Sequence, residues 1–286
     1  MMSGIDDKPG NSLQPLYSHG IKLLYAFIIF TVLNLLLSNA VSIEDAFKLP
    51  QILLIAGINY IPLILIPFFS LRAIGRGLDF LGLDFKSFKE SLPAGISAFV
   101  IAVLSQPGLF FNHNVALSPG WDVYILAISI PVLALIVPFV DMRISYGTRI
   151  PAGLITLALW GIHSQFFPLG DENIAEAMSQ GISSILDLII LALMIGIYVP
   201  FVEELFFRGF VLRYFFMRLE KKPFLAVFLT ATLFGFAHLG IPGMSSLALL
   251  AIPLGIMVYF NDSIYPAVFA HAGLNLAGVA MVWLSK

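Results

Sequence analysis

The chain of 286 residues has no cysteine. Disulfides and thiolate chemistry are therefore excluded, and the redox compartment leaves no mark. Charge is also scarce, at 11% of residues, where a soluble domain carries roughly 25%. Basic blocks and aromatic–basic interleaving are missing, which argues against nucleic acid as a partner. No HExxH spacing occurs, so the commonest zinc-peptidase helix is excluded. Neither an internal repeat nor a low-complexity tract is evident. What is abundant is apolar: 59% hydrophobic residues and a mean hydropathy of +0.95. These numbers predict an all-α, polytopic bundle of transmembrane helices in the cell membrane, with the lipid bilayer as its solvent.

Apolar runs near the length needed to span, about 17–25 residues, fall near 21–39, 51–70, 93–111, 121–141, 150–168, 182–212, 223–239, 245–260 and 264–284. The expected count is eight or nine spans. The run at 245–260 is short and contains Pro253, so a broken or partial span is expected there. Residues 1–20 are polar and read as a cytoplasmic tail. The first apolar run is longer than a signal-peptide core and is read as a retained helix. The organisation expected is a tail at 1–20, N-terminal transmembrane helices at 21–181, and a chemically distinctive core at 182–286.

Lys and Arg placement sets the orientation. With the N-terminus cytoplasmic, the inside segments collect Lys8, Lys22, Arg72, Arg76, Lys86, Lys89, Arg143, Arg149, Arg213, Arg218, Lys221 and Lys222. The outside segments hold only Lys48 and Lys286, while 169–176 is acidic.

Against this background, three patches place ionisable groups inside apolar stretches: EELFFRGF at 203–210, FGFAHLG at 234–240 and HAGLN at 271–275. An Asp, Arg or Lys at a helix centre costs about 2.5–3.5 kcal/mol on insertion scales, so such groups point to function. Helical rise puts all three patches in one layer between the cytoplasmic surface and the midplane. Glu204 and Arg208 are four apart and share a face, so a supporting ion pair is expected. Glu203 points about 100° away and is the working carboxylate. Pro200, one turn earlier, is expected to kink the helix and open space beside it. His238 stands alone on an apolar helix, and His271 and Asn275 share a face. His19, His113 and His163 are peripheral, and Asp187 is placed about a turn inside its helix.

The catalytic candidates are thus Glu203, His238, His271 and Asn275, with Glu204 and Arg208 in support. One carboxylate and two imidazoles match a catalytic metal site, with Glu203, His238 and His271 as ligands, zinc as the metal and water in the fourth position. They equally match a metal-free site in which carboxylate and histidine activate water. The residue types leave both open. They also leave room for a non-catalytic membrane receptor or immunity factor using the same cavity, and for a proton-relaying transporter, although no repeat symmetry supports the last.

The ordered patterns EExxxR, FxxxH and HxxxN, carried by Glu203, Glu204, Arg208, Phe234, His238, His271 and Asn275, resemble the CPBP intramembrane proteases. These are also called the CAAX-protease, bacteriocin-processing or ABI family, with the type II CAAX prenyl endopeptidases among them. The resemblance covers roughly 182–284, and the first 180 residues add only hydrophobicity to it. It implies a glutamate-type or metallo-endopeptidase acting within the membrane on a peptide or protein substrate, including lipidated ones. By that resemblance Glu203 activates water, His238 shares that water or binds metal, and His271 and Asn275 complete the site and stabilise the oxyanion.

Overall fold

The computed structural model describes residues 49–104, 172–219, 222–238 and 244–284, with isolated helical positions between 22 and 36. The tail at 1–20, most of the run at 21–39, the runs at 121–141 and 150–168, and His19, His113, His163, Arg143 and Arg149 lie outside the described residues. Every regular element among those described is helical. In order they are α1 (Leu49–Ile74), a short turn of 3₁₀ helix (Leu78–Leu81), α2 (Phe85–Leu104), α3 (Glu172–Gly181), a long composite helix α4 (Ile185–Arg218), α5 (Pro223–Ala237), α6 (Met244–Asn261) and α7 (Tyr265–Leu284). Among the described residues, three stretches are long and apolar enough to cross a membrane: Leu78–Leu104, Ile185–Arg218 and Tyr265–Leu284.

The small-residue faces explain how α2 and α7 pack. On α2 the buried positions are Ser91, Ala94, Gly95, Ala98 and Ala102, while Ile96, Val100 and Leu104 are exposed at four-residue intervals. Bilayer lipid is as apolar as leucine, so helices associate through close small-residue contacts rather than through apolar bulk. The contact with α7 is tight. A Cβ added to Gly273 would come within 2.9 Å of the Phe99 carbonyl oxygen. On α1 the same division recurs, with Leu63 and Leu71 buried and Ile61, Leu65, Phe68 and Phe69 exposed.

Several boundaries differ from the sequence expectation. Helix α2 begins at Phe85 rather than near 93, because Asp84 caps it: its carboxylate accepts from the Ser87 backbone at 2.8 Å. This satisfies one of the free N–H groups of the first turn, and Lys86 and Lys89 become helical. The acidic segment expected as an outside connection is helical from Glu172. Asp187 lies at the start of α4, not a turn inside it. It forms a reciprocal capping box with Ser184, bonds of 3.2 and 2.8 Å. The run containing Pro253 is one continuous helix of 18 residues.

Helix α4 is not uniform. Two π-helical stretches, Ala192–Tyr198 and Leu205–Leu212, flank an α-helical segment, Val199–Glu204. In the first, Val199 N–H bonds to Met194 O, five residues back. The next bond in that register would run from residue 200 to Ile195 O, but Pro200 has no N–H to give. The helix changes type at Pro200, and the Ile195 carbonyl is left without its helical donor. Such π stretches are rare and collect at functional sites.

At the far end of α4, Arg213 is buried and anchors the α6–α7 connection. Its guanidinium meets Asp262 Oδ1 at 2.6 Å and the Asp262 carbonyl at 3.0 Å. Gly82, with φ +72°, packs here too, and a Cβ on it would lie 2.8 Å from Arg213 Nη2. This corner fixes where α7 enters the bundle, and so where His271 can reach.

A candidate active site at the centre of the bundle

Glu203 and Glu204 fall near the middle of α4, and both are buried. Glu204 and Arg208 are fully inaccessible and pair at 3.0 Å between Oε1 and Nη1. Arg208 also reaches the Ala251 carbonyl on α6 at 3.4 Å. Its guanidinium carbon stands 4.5 Å above the centre of the Phe234 ring, a cation–π contact in a desolvated setting. The expected ion pair is present, but Glu204 has a second partner. His271 Nδ1 lies 2.9 Å from the same Oε1. A carboxylate paired with an arginine accepts, so His271 Nδ1–H donates.

Glu203 faces the other way, as the 100° offset requires. Two imidazoles approach it from different helices. His238 Nε2 is 3.8 Å from Oε1, and His271 Nε2 is 3.9 Å from Oε2. His238 does not sit within a helix but at the C-terminal cap of α5, φ −101° and ψ 22°. Helix α5 has 15 residues, about 22 Å at 1.5 Å rise. It ends inside the protein, which brings His238 to the depth of Glu203. Its Nδ1 bonds to the Phe234 carbonyl at 2.8 Å. A carbonyl can only accept, so Nδ1 carries the proton, and in the neutral ring Nε2 is a lone pair turned toward Glu203.

Phe234 organises these groups. It is fully buried, and its ring centre lies 4.5 Å from that of His238, 6.1 Å from that of His271 and 5.0 Å from that of Phe207. The FxxxH pattern thus has a physical basis: the phenylalanine supplies the carbonyl that sets the histidine's tautomer and the ring that receives the arginine.

Asn275 is on the same face of α7 as His271, one turn on. Its Nδ2 donates to the Ile195 carbonyl at 2.9 Å, the oxygen that the π register and Pro200 leave without a donor. The side-chain amide has two hydrogens, so one remains.

One further residue meets the site, and the sequence reading missed it. Tyr60 of α1 donates its hydroxyl to Glu203 Oε1 at 2.8 Å. It lies in the first 180 residues, which add only hydrophobicity to the family resemblance, and it is not among the candidate site residues. The available signal was a phenol within a long apolar run, whose hydroxyl needs a partner once buried.

The donor types suit zinc, but their separation is wide. Tetrahedral ligands at about 2.0–2.1 Å from a metal stand roughly 3.3 Å apart, against the 3.8 and 3.9 Å found here. Among the described residues no three such side chains gather as a metal-holding group. Two partners of one water, each at about 2.8 Å, stand roughly 4.6 Å apart at the tetrahedral angle, so the observed gaps lie between the metal spacing and the water spacing.

Residues 185–277 match the family model described as Rce1-like, type II CAAX prenyl endopeptidase. Over that segment the chain is similar to the CPBP and CAAX-protease family, as its three motifs indicate. All seven motif positions from Glu203 to Asn275 lie within it. No curated protein and no solved structure gives a match to the chain.

Proposed function

We propose that this protein is an intramembrane endopeptidase that hydrolyses a peptide bond of a membrane-associated protein or peptide. The observation that carries the reading is the convergence of the His238 and His271 Nε2 atoms on the buried Glu203 carboxylate, at 3.8 and 3.9 Å. The Rce1-like match supports a CAAX-type substrate, and the broader family resemblance a bacteriocin-type one.

In this mechanism a water molecule lies between Glu203 and His238. Its oxygen attacks the scissile carbonyl carbon while Glu203 takes one of its protons. The imidazole of His238 accepts the water's other hydrogen and aims the lone pair. His271 works as the imidazolium: Nδ1–H stays on Glu204, and Nε2–H donates to the oxyanion. The remaining Asn275 amide hydrogen is the second donor. Four charges then sum to zero, Glu203 and Glu204 against Arg208 and His271. They remain balanced when Glu203 gains a proton and the oxyanion forms. Neutrality matters here because an uncompensated charge in a low dielectric is costly. Collapse of the tetrahedral intermediate passes the Glu203 proton to the leaving amine and breaks the C–N bond.

The test is cleavage of two substrates in liposomes, a farnesylated peptide with a CAAX terminus and a leader-bearing bacteriocin-type peptide, with Glu203→Gln as the control. Turnover by the wild type that disappears in the folded variant supports the reading. Cleavage by Glu203→Gln at the wild-type rate removes this glutamate as the base.

A further inference from the structure

We infer that Tyr60 is a positioning residue for the water-activating carboxylate, so that the catalytic unit extends beyond the family-like segment into α1. The inference rests on the proposed role of Glu203.

Tyr60 OH donates to Glu203 Oε1 at 2.8 Å, across 143 residues of chain. The match to the peptidase family begins at 185, so α1 lies outside it. The hydroxyl falls on the same carboxylate oxygen that His238 approaches at 3.8 Å. The other oxygen faces His271. With Oε1 held by Tyr60, the carboxyl plane is fixed, and each oxygen keeps a separate imidazole opposite it. A glutamate has three side-chain torsions, and neither histidine is close enough to bond it directly. Among the described groups, the Tyr60 hydroxyl is within direct hydrogen-bonding distance of Glu203, and it provides the orientation.

The ring of Tyr60 is itself braced. Tyr198, in the first π stretch of α4, meets it edge-on with ring centres 6.2 Å apart. Tyr198 lies five residues before Glu203 on the same helix. The π stretch therefore has two consequences at the site: its freed carbonyl is taken up by Asn275, and its last residue packs against the phenol that holds Glu203. A phenol also suits the chemistry. It donates to the carboxylate, and it has no negative charge of its own at neutral pH.

The experiment compares wild type, Tyr60→Phe and Glu203→Gln in the liposome cleavage assay, with carboxylate infrared difference spectra of each. A hydrogen bond to a charged group, removed from the reacting state, lowers kcat by about tenfold or more. The expected result for Tyr60→Phe is that loss in kcat with KM within about twofold of wild type, as for a contact not made to substrate. The carboxylate stretch should shift on Tyr60→Phe, and the same shift should be absent when Tyr60→Phe is made in Glu203→Gln. An unchanged kcat together with an unmoved carboxylate band overturns the inference, as does a band that moves equally in the Glu203→Gln background. Should Tyr60→Phe fold poorly, 3-fluorotyrosine at position 60 keeps the ring and the donor; its stronger acidity should move the band, and no movement counts against the inference. Wild-type cleavage retained by Glu203→Gln instead removes Glu203 as the base, while the infrared comparison still reads the Tyr60–Glu203 bond by itself.

Discussion

His271 Nδ1 and Arg208 Nη1 meet at one atom, Glu204 Oε1, at 2.9 and 3.0 Å. The ion pair is thus a link between the scaffold and a ring that faces Glu203. A pair that only held two turns of α4 together could be exchanged for apolar residues with little effect on chemistry. A carboxylate shared with His271 cannot, because it also fixes which ring nitrogen carries the proton.

Breaking this pair should therefore affect both fold and activity. Arg208→Ala leaves Glu204 buried without its arginine partner, a change that typically costs about 3–5 kcal/mol. Thermal unfolding in detergent should show a clear fall in midpoint, and cleavage should drop in the folded remainder. A variant of wild-type stability that has lost only activity would contradict the dual role.

Removing the charge at Glu203 should act differently. Glu203→Gln keeps nearly the same volume, and a neutral amide is easier to bury than a carboxylate. Folded yield should stay near that of the wild type, because this gain offsets the positive charge left unbalanced at Arg208 and His271. Proteolysis should fall by about 10²-fold or more, the usual contribution of a positioned acid–base group. His238→Ala should give a similar loss. The double variant should be little worse than either single one, because members of one catalytic unit are not additive.

Asn275→Ala removes the donor to the Ile195 carbonyl. Interhelical hydrogen bonds of this kind in membranes average about 0.6 kcal/mol, so stability should change little. Cleavage should fall more than stability if the remaining amide hydrogen serves the oxyanion, and single-turnover rates beside melting curves will show the difference. Equal, small losses in both would restrict Asn275 to bracing the π stretch.

Phe234 receives the Arg208 guanidinium and orients His238 through its carbonyl. Phe234→Ala should cost about 3–5 kcal/mol, the range for a buried phenylalanine. Phe234→Leu should retain the fold, since the carbonyl bond to His238 survives, and should lose the cation–π contribution of Arg208. Unfolding by heat with Arg208→Ala in a double-mutant cycle measures that contribution, and zero coupling would mean that the stack is incidental.

Chelation addresses the metal question directly. The proposed mechanism activates water without metal, so prolonged treatment with a zinc chelator should leave cleavage unchanged. Lasting inhibition that added zinc reverses would instead make Glu203, His238 and His271 the ligands.

The sequence by itself determined the helical, membrane-type composition and the six residues worth testing. Apolar runs tolerate so few polar groups that each one stands out, and four-residue spacing alone put Glu204 with Arg208 and His271 with Asn275. Their helical spacing also separated Glu203 from Glu204. Tertiary structure alone decided the rest, because the remaining relations are long-range. Nothing local says that α5 stops at His238 inside the bundle, that Glu204 serves His271 across 67 residues, or that Tyr60 reaches Glu203 across 143. Those contacts depend on the small-residue seam between α2 and α7 and on the Arg213–Asp262 anchor, which set how the helices sit against one another. Periodicity shows which face of a helix is turned inward, but only packing decides what that face meets.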